Sequence, residues 1–144
     1  MSDPNSAPQH RQTEPRFSVV VPVLNEARTL PRMLGQFRAF TAGGGNMEQG
    51  PGQGGEGQSV EGQYQSAHLE VIVADGGSTD GSPAIAEAAG ARVVHNPGPQ
   101  TIGSNRNTGA AVARGRLLIF CDADTQFEDL GGFLRQVEGV FAEE

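Results

Sequence analysis

The chain has 144 residues, enough for one compact domain and too few for two ordinary ones. Its formal net charge of -7, from 10 Lys and Arg against 17 Asp and Glu, leaves no basic stripe for a phosphate backbone and argues against nucleic acid as a partner. Cys121 is the only cysteine, which excludes an internal disulfide and suits a reducing compartment, so the expected location is cytoplasmic.

Residues 1–16 are rich in Pro, Gln and Ser and hold no apolar run, so they read as a disordered leader rather than a signal peptide or membrane span. Residues 17–144 are the expected domain. The β-branched run from Phe17 to Val23 has the continuity of a strand buried on both faces. Thr29 is placed to cap a helix, Pro31 is tolerated in its first turn, and Leu30, Met33, Leu34 and Phe37 recur at helical spacing. Between Gly43 and Ser66, Gly, Gln and Glu dominate, a composition that cannot offset its own ordering entropy, so 43–66 reads as a flexible insertion without assigned function. A second strand follows over Leu69 to Ala74. Ser82-Pro83 opens a short helix through Ala89 that Gly90 ends. Ala91 to His95 forms a third strand, about Gly103 to Arg114 an Ala-rich helix, and Leu117 to Cys121 a fourth strand. Leu130, Phe133, Leu134, Val137 and Phe141 return to helical spacing. No stretch reaches the roughly 18 to 20 apolar residues of a membrane span, so any membrane association is peripheral or lies outside this chain.

Alternating strands and helices predict an α/β fold, an open and mostly parallel sheet with helices on both faces, whose ligands bind beyond the carboxyl ends of the strands. Asn25-Glu26, Asp75 and Asp122-Ala123-Asp124 each come directly after a predicted strand, so three polar segments meet at one edge. Crowded carboxylates repel one another unless cations or donors neutralise them. Asp-x-Asp alone marks a solvated turn as readily as a site, but its position beside the other two segments favours function. Oxygen ligands suit Mg2+ or Mn2+ bridging two phosphates. His10, His68 and His95 are scattered, so no zinc site is implied. At Asp75-Gly76-Gly77-Ser78-Thr79-Asp80 a capped turn and a base-binding loop are compatible: the glycines admit close approach, and Asp75 can accept a hydrogen bond from a ring nitrogen.

With these segments in place the chain resembles the family 2 glycosyltransferases of the GT-A fold. The likeness runs from Phe17 to about Thr125 through Val19-Val20-Val21-Pro22-Val23-Leu24-Asn25-Glu26, Glu70-Val71-Ile72-Val73-Ala74-Asp75-Gly76-Gly77-Ser78-Thr79-Asp80-Gly81, Gly103-Ser104-Asn105-Arg106-Asn107-Thr108-Gly109 and Ala113-Arg114-Gly115-Arg116-Leu117-Leu118-Ile119-Phe120-Cys121-Asp122-Ala123-Asp124. The resemblance implies a nucleotide-diphosphate sugar as donor, an acceptor of unknown identity and transfer with inversion. It implies that Pro22 and Glu26 border the nucleoside, that Asp75 reads the base, that Asp122 contacts the ribose and diphosphate, and that Asp124 ligates the metal. Arg106 lies either at the nucleotide pocket or in a surface ion pair. Cys121 reads as a packed strand residue, with nothing electropositive nearby to make its thiol reactive. The general base is expected beyond this chain, which ends about twenty residues after Asp-x-Asp, since Glu128 and Asp129 look like helix-start residues.

Other readings fare less well. A haloacid-dehalogenase phosphatase carries its Asp-x-Asp on the first strand, not the fourth. A sugar-1-phosphate nucleotidyltransferase or a dinucleotide-dependent oxidoreductase would show a Gly-rich loop where this chain reads Leu24-Asn25-Glu26. The rival that stands is a non-catalytic nucleotide-sugar-binding fragment whose sheet ends on an exposed strand, with a partner chain or further sequence to cover that edge.

Overall fold

The computed structural model describes residues 15–41 and 69–142. The insertion expected at 43–66 and residues 1–14 of the leader lie outside the described residues. Four strands, β1 (Phe17–Val23), β2 (Leu69–Asp75), β3 (Arg92–His95) and β4 (Leu117–Phe120), form one sheet in the order β3-β2-β1-β4. All three pairings are parallel, with Phe17 level with both Leu69 and Leu117. Among the described residues five helical pieces accompany them: α1 (Leu30–Gly35), a 3-10 turn (Arg38–Phe40), α2 (Ser82–Ala88), α3 (Ile102–Ala111) and α4 (Leu130–Ala142).

The alternation of a strand sorts these pieces into two layers. Phe17, Val19, Val21 and Val23 project to one side, where Leu30, Met33, Leu34, Phe37, Ala86, Leu130 and Leu134 close the main core. Val20, Ile72 and Ala74 project to the other and are covered by α3, so closely that a methyl added at Gly109 would fall 2.5 Å from Val20 Cγ1. Helices therefore lie on both faces, as the pattern requires. β1 is buried along its whole length apart from half-buried Pro22, and only a central strand sandwiched between two helix layers can be so apolar on both sides.

Some boundaries move. Thr29 makes no side-chain cap: its backbone is already helical, and the first turn begins earlier, where Glu26 O accepts from both Thr29 N and Leu30 N. The predicted long Ala-rich helix stops at Ala111, after which Val112 and Ala113 close tighter turns onto Gly109 and Ala110. Thr101 is its cap, accepting from Ser104 N at 3.0 Å. β4 ends one residue short, at Phe120. Arg16, assigned by sequence to the leader, instead pairs with Glu138 at 2.6 Å, and its carbonyl accepts the backbone N–H groups that open β4.

The path from β1 to β2 to β3 steps in one direction; β4 then returns to the far side of β1. Ligands of open α/β sheets bind at such a reversal. Here the reversal is physically open. Pairing of β1 with β4 ends at Val20 and Phe120, and the last bond runs from Cys121 N to Val20 O. Backbone groups on one side of a strand recur every second residue, so the missing N–H of Pro22 faces the gap beyond β4, where no ladder bond is lost. No described helix is long and apolar enough to cross a membrane.

Candidate functional site

Two loops at the carboxyl edge are stitched together. Asn25 takes a left-handed conformation (φ 54), which an Asn tolerates when its side chain bonds locally. Its Oδ1 accepts from Thr79 N at 2.8 Å, and its own N donates to Ser78 Oγ at 2.8 Å. Glu26 N donates to Ser82 Oγ at 3.0 Å and Ala27 N to Asp80 Oδ2 at 2.9 Å. Ser82 in turn donates to Asp80 Oδ1 at 2.6 Å. Pro22 and Glu26 thus enter the site on a segment whose backbone donors are held by side chains of the loop after β2.

Asp75 organises that second loop. It is 2 % exposed, and its Oδ2 accepts from Gly77 N at 3.0 Å and Ser78 N at 3.1 Å. Burial pushes its pKa up, but the bonds from Ser78 and Gly77, with His95 3.4 Å away, outweigh burial and leave it below the ordinary carboxylate value. Oδ2 is therefore committed to the turn, and Oδ1, with only a long 3.4 Å contact to Ser78 N, is the oxygen with capacity to spare. Gly76 is pressed against the head of α3: a Cβ there would lie 2.7 Å from Asn105 Nδ2. Buried Asn105 accepts from Asn96 Nδ2 at 2.8 Å, which joins the end of β3 to α3.

The third element is a closed turn. Thr125 N donates to Asp122 O at 3.1 Å and Asp122 N to Thr125 Oγ1 at 3.0 Å. Ala123 is buried while Asp122 and Asp124 are exposed, so packing of one methyl turns both carboxylates outward. Gln36, at the end of α1, anchors the chain as it leaves this turn, donating to Thr125 O at 2.9 Å and accepting from Phe127 N at 2.7 Å. Phe127 packs between Phe37 and Phe133. Asp129, expected at a helix start, does accept from Gly132 N at 2.9 Å in the first turn of α4.

Arg106 links the elements. It is the residue next to Asn105 on α3; its Nη2 lies 3.5 Å from Asp122 Oδ1, while its Nε is shielded from solvent and has no hydrogen-bond partner. The surface ion pair weighed for Arg106 from sequence is present, with Asp122 as its partner. Among the described residues no three His, Cys, Asp or Glu side chains stand close enough to enclose a metal ion. An ion of the Mg2+ or Mn2+ kind needs no such cluster, since one carboxylate such as Asp124 could hold it with phosphates and water completing its shell. Cys121 is buried, and burial with the Asp122 charge beside it pushes its thiol up to about 11, so it is a packing residue.

Sequence reasoning missed Gln36, Ser78, Asp80, Ser82 and Asn105 as supports. Ser78, Asp80 and Ser82 stood within or beside a noted motif and were legible as turn formers, but their partners at Asn25–Ala27 are more than fifty residues away. Gln36 carried no signal at all.

The structure is an open parallel α/β sheet with a reversal between β1 and β4, and an acidic turn, an arginine and a Gly-rich turn stand at that reversal, the place where open sheets of this kind take their ligands. Residues 58–138 match glycosyl transferase family 2, more than half of the chain, and the chain belongs to that family. Its fold is GT-A. Among solved structures it is similar to a mannosyltransferase from Pyrobaculum calidifontis in complex with GDP-Man and Mn2+ (TM-score 0.56, 24% identity, 80% of this chain and 29% of that one). It is also similar to residues 1–349 of S. aureus TarS (TM-score 0.57, 21% identity, 86% and 32%) and to a mycobacterial protein (TM-score 0.58, 22% identity, 98% and 42%). A TPR repeat-containing protein of Synechococcus elongatus is 40% identical over 57 residues, covering 40% of this chain and 14% of that protein. The chain thus spans well under half the length of each of these relatives.

Proposed function

We propose that the chain forms the donor-binding part of a metal-dependent glycosyltransferase that takes a sugar from a nucleotide-diphosphate sugar and passes it to an acceptor hydroxyl with inversion. The observation that carries this reading is the meeting of Arg106 with Asp122 beside the open reversal of the sheet, where three family motifs arrive from separate strands. Asp75 Oδ1 receives the base, with Pro22 and Glu26 along the nucleoside. Asp122 takes the ribose and diphosphate region, and Arg106, with its unpartnered Nε, offers a second positive group to the phosphates. Asp124 holds the Mg2+ or Mn2+ ion, whose chemistry is to offset charge building on the departing diphosphate. No described carboxylate is assigned as the base that deprotonates the acceptor.

Calorimetric titration with uridine, guanosine and thymidine diphosphate sugars, with and without Mn2+, tests the reading. Metal-dependent binding that falls at least about tenfold in Asp124→Ala, a loss of some 1.4 kcal/mol, is the expected result. A folded sample that binds none of them would sink it. A second reading, a nucleotide-sugar-binding unit without turnover of its own, is favoured by the short span relative to the relatives and by the unassigned base. Binding without transfer to any acceptor would select it. Cytoplasmic location, with any membrane association peripheral, remains part of the proposal, as does the division into a leader and one domain with its insertion.

A further inference from the structure

The two oxygens of Asp75 are not equivalent, and the one left open restricts which base it can read. Asp75 is 2 % exposed, and its Oδ2 accepts from Gly77 N at 3.0 Å and Ser78 N at 3.1 Å, with His95 Nδ1 3.4 Å away. A carboxylate oxygen has two lone-pair positions, so the two backbone bonds alone fill Oδ2. Oδ1 has only the 3.4 Å contact to Ser78 N and keeps a position for a further donor. The carboxyl pKa lies below its ordinary value, so at neutral pH the group accepts and does not donate. Nor can a base reach Oδ2 by lying over the turn, because that place is filled: a Cβ on Gly76 would fall 2.7 Å from Asn105 Nδ2 and 3.0 Å from Gln100 Oε1.

Nucleobases differ in what they offer such a group. Guanine presents two parallel donors, N1–H and the N2 amine, which suit a carboxylate with both oxygens open. Uracil and thymine present one donor, N3–H, between two carbonyls. Cytosine and adenine set a bare ring nitrogen beside their amine, and its lone pair would face the carboxylate. We propose that the nucleotide site selects a base of the uracil type, whose N3–H donates to Asp75 Oδ1, and rejects guanine because the turn has already taken Oδ2. This inference rests on the donor-binding reading and names the nucleotide within it. Guanine would leave its N2 amine without an acceptor, and an unpaired donor in a closed site costs a factor of about ten or more in binding. The same geometry gives a switch. In Asp75→Asn the amides of Gly77 and Ser78 still require an acceptor, so the Asn oxygen takes the place of Oδ2 and its NH2 group the place of Oδ1. The position that accepted from N3–H then donates, which suits the bare N3 of cytosine and opposes the N3–H of uracil.

Calorimetric titration of the chain with UDP, dTDP, GDP, inosine diphosphate and CDP in the presence of Mn2+ tests the proposal. Inosine diphosphate is GDP without the N2 amine, so that pair compares one group at constant ring size. UDP or dTDP should bind at least about tenfold more tightly than GDP, and inosine diphosphate no less tightly than GDP. The tighter of UDP and dTDP names the base. Asp75→Asn, with folding checked by circular dichroism, should prefer CDP to UDP, an inversion that a merely loosened turn would not produce. GDP binding more tightly than inosine diphosphate would mean that Oδ2 receives the amine, and would overturn the proposal while leaving the donor-binding reading intact. A folded Asp75→Asn that keeps its preference for UDP would do the same. Should that variant not fold, the comparison of GDP with inosine diphosphate in the wild type still decides. 3-Methyl-UDP, which lacks the N3 proton, should bind far more weakly than UDP; equal binding would mean that Asp75 reads no base, and would sink that part of the donor-binding reading and the proposal together.

Discussion

Asp75 shows how one side chain is asked for two things. Its carboxylate closes the Gly76-Gly77-Ser78 turn, and in the proposed function it also reads a base. The first role was legible, because Asp-Gly-Gly-Ser after a strand specifies a side chain accepting from the next backbone amides. That only Oδ1 is left for a ligand was not, since it depends on burial and on His95 arriving from β3. The structural role has a pH signature. Because its folded pKa lies below the ordinary carboxylate value of 3.8, Asp75 contributes stability that is fully present above that value and is lost as pH falls through the folded pKa. Urea unfolding from about pH 6 down to about pH 3 should therefore show a steeper acid loss in the wild type than in Asp75→Asn, whose stability at neutral pH should already be lower. Parallel acid limbs in the two proteins would mean that the turn does not depend on the charge.

Among the elements, the turn after β4 depends on a helix more than eighty residues earlier. Gln36 satisfies Thr125 O and Phe127 N at once, so removing it leaves two partly buried backbone groups without partners. Gln36→Ala should cost about 1–3 kcal/mol of stability by denaturant titration. It should also speed amide exchange at Thr125 and Phe127 and weaken metal-dependent donor binding without touching a proposed ligand. Exchange as slow as in the wild type would show that packing of Phe127 between Phe37 and Phe133 suffices to hold the turn. No sequence pattern announces such a clamp. The helix was legible from Leu30, Met33, Leu34 and Phe37, and Gln36 merely occupies the polar position between them. Thr29, which reads as a cap, is bypassed because the loop from Asn25 to Ala27 is already fixed by Ser78, Asp80 and Ser82 and starts the turn early.

For the whole molecule, the two-layer core makes Cys121 a reporter of global opening. Its thiol is buried, held near a pKa of about 11, and set in the main core cluster. Alkylation at neutral pH should track the global unfolding equilibrium, with labelling rates rising as denaturant lowers stability. Labelling that is fast and insensitive to denaturant would mean that the β4 side opens by itself. The sequence by itself determined the strands, the helices, their alternation and the segments that gather at the carboxyl edge, because hydrophobic period, Gly and Pro placement and strand-end polar residues are local properties of the chain. It carried the family likeness for the same reason. Only the tertiary structure decided that β4 lies against β1 and not β3, which opens the sheet at Pro22 and joins Arg106 to Asp122. Strand order is a choice among packings of the same elements, and it is settled by which helix covers which face, information that no local stretch contains.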